Sequence, residues 1–146
     1  MKQLRILAIF SCLVYGPAMA ADRDGEFGIG LGTPAPTGIS MKYWTSRITA
    51  YDFFAEWAFD EKKINVHFDY LFHDYKTVFM DDAESPVYWG FGARFIEESN
   101  EDVITGIRFP IGISYLPNNK PFELFAEAAA RINVTPSTSF GVDLIV

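Results

Sequence analysis

His67, Asp69 and His73 fall on one short run, Ile64 to His73, which reads I-N-V-H-F-D-Y-L-F-H. A strand sends alternate side chains to opposite faces, so all three would share a face. A His/Asp/His set could ligate a metal ion or move protons. The spacing argues against a two-histidine site, because six residues of strand separate His67 from His73 by ~20 Å at ~3.3 Å per residue. Ser114 and His67 have the chemistry of a nucleophile and its base, but no spacing ties them together. Gly28-x-Gly30-x-Gly32 lacks the following helix and the Lys-Ser/Thr of a phosphate loop, so strand glycines explain it better. Asn133-Val134-Thr135 fits a glycosylation sequon and reads as turn chemistry. Asp81-Asp82-Ala83-Glu84 could attract divalent cations or a partner, although such runs are more often simply solvated. No catalytic residue, cofactor or metal site is expected.

The pattern around these residues is that of strands. Apolar and polar residues alternate over 26–31, 39–44, 48–59, 64–73, 87–95, 103–115, 122–132 and 140–146, which gives eight strand candidates. Turn-forming residues separate them, most clearly Thr33-Pro34-Ala35-Pro36-Thr37-Gly38. Two segments resist. Pro110 cannot donate to a ladder and predicts a bulge in its strand. The stretch 122–131 is rich in Ala and Glu and reads as helix when taken alone. In an eight-stranded up-and-down order, the long polar loop 74–86 falls on the same side as the N-terminus. Deleting the 39–44 strand would move it, at the cost of an odd strand number.

Residues 1–20 read as a cleaved export signal. Lys2 and Arg5 precede a short apolar run, and Ala18-Met19-Ala20 fits the cleavage rule. Ile9-Phe10-Ser11-Cys12 only loosely resembles a lipobox. Cleavage after Ala20 removes Cys12, the single cysteine, and with it disulfide and thiolate chemistry. Residues 21–146 then form one domain with 10 basic and 19 acidic residues. That balance argues against a nucleic-acid partner. Nothing after residue 20 approaches an apolar helix long enough to span a bilayer.

The two faces differ in kind. One carries Phe27, Tyr51, Phe53, Trp57, Phe68, Tyr70, Trp89, Phe91, Phe95, Phe109 and Tyr115, too many rings for the inside of an eight-stranded barrel. The other interleaves glycine, serine and alanine with charge. It predicts a polar network of Asp52, Glu56, His67, Asp69, Arg94, Arg108, Glu127 and Arg131, in which the arginines serve several carboxylates each.

This alternation, size and leader resemble the small eight-stranded outer-membrane barrels of the OmpX and OmpA-barrel type. Pro36-Thr37-Gly38-Ile39-Ser40-Met41-Lys42-Tyr43-Trp44 also resembles the opening of an uncharacterised family of small bacterial barrels. The chain departs from the usual terminal aromatic, ending on Val146. The resemblance implies an all-β, antiparallel up-and-down transmembrane β-barrel in the bacterial outer membrane. Its partners would be outer-membrane lipid and the barrel-assembly machinery. Its role would be structural or interactive within the envelope, with oligomeric state left open. Two alternatives stand beside it: a soluble periplasmic lipocalin-like barrel for a small apolar ligand, and a lipid-modifying outer-membrane enzyme.

Overall fold

A computed structural model describes residues 14–15, 24–32, 38–58, 63–97, 103–118 and 120–146. Its regular secondary structure is strand throughout. In chain order the strands are β1 (Val14–Tyr15), β2 (Phe27–Gly32), β3 (Gly38–Ser46), β4 (Thr49–Ala58), β5 (Lys63–Asp74), β6 (Ala83–Glu84), β7 (Val87–Glu97), β8 (Val103–Pro117), β9 (Phe122–Thr135) and β10 (Ser139–Ile145). The eight longer ones match the eight strand candidates to within a few residues at each end.

These eight strands pair antiparallel with their neighbours in sequence, in the order β2-β3-β4-β5-β7-β8-β9-β10. The sheet curls back on itself, since Lys42 of β3 meets Glu123 of β9 and Arg94 of β7 meets Asp143 of β10. It is compatible with a small β-barrel but is not closed, because β2 and β10 do not pair. Val14 and Tyr15 pair with both β2 and β9. They are the only residues of the expected leader among those described.

The helix-prone stretch is strand. β9 pairs with β8 along one edge and with β10 along the other, so ladder hydrogen bonds override local propensity. The bulge expected at Pro110 is absent. Trp89 faces Ile111 and Gly92 faces Arg108, so the register is the same on both sides of the proline and only the rungs between are lost. Pro110 lacks the N–H those rungs would use. The register shifts lie elsewhere, at Trp44/Ser46 and at Thr105/Gly106.

The long connection after β5 folds back over the end of the sheet where β2 begins and β10 finishes. β6 pairs with the last residues of β8, the Ser114 N–H donates to the Pro86 carbonyl at 3.0 Å, and the Asn118 N–H donates to the Asp82 carbonyl at 3.0 Å. Ala83, Ser85 and Pro86 are buried by this contact.

Large apolar side chains stand exposed on the outer face. They include Phe27, Ile29 and Leu31 of β2, Phe68 of β5, Trp89, Phe91 and Phe95 of β7, Phe109 and Ile111 of β8, and Val142 and Leu144 of β10. The inner face buries Lys42, His67, Asp69, Arg94, Arg108, Glu123 and Glu127. These charged groups are buried beside Trp44, Phe54, Leu71 and Tyr88, while many of the large apolar side chains lie outside.

Candidate functional site

The inner face is organised by register. Around the sheet, Lys42 lies opposite Asp52, Asp52 opposite Asp69, Asp69 opposite Gly92, Gly92 opposite Arg108, and Arg108 opposite Arg131. Asp69 and Arg108 are two strands apart. Gly92 stands between them, and a Cβ there would run into the Asp69 carboxylate and the Phe68 carbonyl. The missing side chain lets the two charged groups meet, with Arg108 Nε 3.3 Å from Asp69 Oδ2. Gly112 does the same for Tyr88, whose ring end occupies the space a Cβ would take.

Three clusters follow along the axis. In the middle, Arg108 Nη2 donates to Glu127 Oε1, and the Tyr88 hydroxyl donates to Glu127 Oε2 at 3.1 Å. Towards the β6 end, Lys42 Nζ donates to Glu123 Oε1 at 2.7 Å, and the Ser114 hydroxyl donates to the same oxygen. The Lys42 ammonium also lies 4.6 Å from the Trp44 ring centre and 5.3 Å from that of Tyr88. His73 packs against the same two rings, at 4.3 and 5.4 Å between centres. Towards the opposite end, Asp143 takes Arg94 at 3.2 Å and also Arg131, while Asn65 donates to Glu56 at 2.6 Å. His67 stacks on Phe54 at 5.1 Å, with its Nε2 3.7 Å from Asp69 Oδ2.

The eight residues expected in a polar network all lie on this face. His67, Asp69, Arg94, Arg108 and Glu127 are buried, and Asp52, Glu56 and Arg131 are half-buried. The sequence alone does not join Ser114 to Glu123 or Tyr88 to Glu127, because the register of β7, β8 and β9 is set by pairing and Tyr88 reaches Glu127 only over Gly112. Ser114 and His67 are not brought together. His67 is level with Arg94 and Gly106, and Ser114 lies eight residues further along β8, ~26 Å at ~3.3 Å per residue.

A cavity of about 330 Å³ lies near the β4–β5 hairpin end, lined by Glu56, Asn65, His67, Arg108 and the inner side of β10. Around Lys42, Asp52, Glu123 and Glu127 the remaining space is only about 10 Å³, room for roughly one water. The arrangement pairs Lys42 with Glu123, Arg108 with Glu127, and Arg94 and Arg131 with Asp143. Comparison with protein-family models, curated proteins and solved structures finds no match for the chain.

Proposed function

We propose that this chain is a small outer-membrane β-barrel protein whose lumen is filled by paired side chains. Its role is structural or interactive in the cell envelope, and it does not conduct solutes. The observation that carries the reading is the inversion of faces: Phe68, Trp89, Phe91 and Phe109 are about half exposed while Asp69, Arg94 and Arg108 are buried. Contiguous apolar surface of this extent is rare on a soluble monomer. In a bilayer every backbone polar group needs a partner, and a closed barrel of antiparallel strands supplies one. Closure by β2 and β10, removal of the 1–20 leader and insertion by the barrel-assembly machinery belong to the same proposal.

The lipocalin-like alternative needs an apolar interior, and this one is charged. The enzyme alternative pairs Ser114 with His67 as its base, and the two stand eight residues apart along the sheet, ~26 Å at ~3.3 Å per residue. Gel mobility with and without boiling, together with detergent partitioning of the membrane fraction, tests the reading. A heat-modifiable, detergent-phase protein that gives no conductance in planar bilayers is expected. A protein that stays in the aqueous phase would remove the proposal.

A further inference from the structure

Asp52 and Asp69 occupy directly opposed positions on β4 and β5. Like charges so placed repel, and burial strengthens the repulsion. Both Asp69 oxygens are buried and accept no hydrogen bond; Arg108 Nε approaches one of them without hydrogen-bond geometry. Asp52 joins no ion pair and accepts no hydrogen bond among the described residues. The nearby cations are committed, Lys42 to Glu123 and Arg108 to Glu127 as well as Asp69. Three carboxylates, Asp52, Asp69 and Glu127, therefore gather around the Arg108 guanidinium. His67 is two residues before Asp69 on the same face. One ligand atom each from Asp52, His67 and Asp69 lie within 4.8 Å of one another.

We infer that Asp52, His67 and Asp69 form a binding site for one divalent first-row metal ion of the zinc type. An i, i+2 pair on one strand and the facing residue of the next give three ligands on one side of an ion. One imidazole and two carboxylates suit Zn²⁺, Co²⁺ or Mn²⁺ better than a thiolate-seeking ion. Ligands ~2.0–2.2 Å from a common ion sit ~3.3 Å apart in a tetrahedron, so the side chains close by roughly an ångström on binding. His67 also lines the larger cavity, a source of water for a fourth ligand. The site does not depend on whether the outer face meets lipid.

The test uses the full chain in detergent, checked for folding by its unboiled gel mobility. Titration with Zn²⁺, followed calorimetrically and by metal analysis after gel filtration, should give one ion per chain. Co²⁺ should show visible d–d bands of a nitrogen- and oxygen-ligated ion. Asp52→Asn and His67→Gln should each weaken binding by more than the roughly 10–100-fold typical of residues that merely support a ligand. The Asp81→Asn/Asp82→Asn variant, in the acidic loop, should bind as the parent does. No uptake by the folded parent at millimolar metal would overturn the inference. So would uptake that survives both Asp52→Asn and His67→Gln.

Discussion

An arginine walked along the outer face of β8 would read directly what that face touches. Its outward positions are Val103, Thr105, Ile107, Phe109, Ile111, Ile113 and Tyr115. Phe109 is the middle of the series. Two residues along a strand tilted by ~40° rise about 5 Å along the membrane normal. Tyr115 is then about 15 Å from Phe109, beyond half of an apolar band ~25 Å tall. At the midplane an arginine on the lipid face costs about 2–4 kcal/mol, and near the interface about 0–1. Phe109→Arg should therefore lower the unfolding free energy by about 2–4 kcal/mol, Ile111→Arg by slightly less, and Tyr115→Arg by under about 1. On a water-facing surface all three would stay within about 0.5 kcal/mol of the parent. The assay is urea unfolding in phospholipid vesicles, followed by tryptophan fluorescence and unboiled gel mobility. A flat profile from Phe109 to Tyr115 would refute the membrane reading, however the interior is arranged.

Other outcomes follow from the interior. Arg108→Met leaves Asp69 and Glu127 buried without their shared cation and should cost about 3–5 kcal/mol in the same unfolding assay. Adding Glu127→Gln should restore part of that loss. Gly92→Val places a side chain where the Asp69 carboxylate lies, and the heat-modifiable band should disappear. The Arg47–Glu84 pair is exposed at 3.0 Å, so Arg47→Ala should change stability by less than about 1 kcal/mol.

Period-two alternation made the strands and their faces legible, since a one-residue slip would put charge outside and rings inside. It held even through Phe122 to Arg131, where propensity pointed to helix. Pro110 needs no bulge because a missing donor removes rungs without requiring an extra residue; the register across Trp89/Ile111 and Gly92/Arg108 is unchanged. The loop after β5 reads as polar and solvated, yet it is held by the Arg47–Glu84 and Tyr115–Asp82 contacts and by the backbone, through β6 and the Pro86 and Asp82 carbonyls. Side-chain chemistry carries no trace of the backbone bonds. The inner residues were identifiable one by one, but their partners were not. Lys42 finds Glu123 only because the sheet curls, 81 positions away in sequence.

Glycine placement explains how so much charge fits inside a narrow sheet. Gly92, Gly112 and Gly141 each lie under a long side chain of the adjacent strand: Asp69, Tyr88 and Arg131. Asp69, Tyr88 and Arg131 are thus each given a neighbour's volume, and size alternates across strands at these positions. Substituting any of these glycines forces a charged or phenolic group off its partner as well as crowding the wall. The same pairing of small with large accounts for the unequal ends of the interior. Lys42, Trp44, His73, Tyr88 and Glu123 crowd the end beneath β6, whereas Asn65, Glu56 and Asp143 leave the open cavity at the other. A tightly packed region around Lys42, Asp52, Glu123 and Glu127 and a recess beside Glu56, Asn65 and Asp143 thus follow from one packing rule.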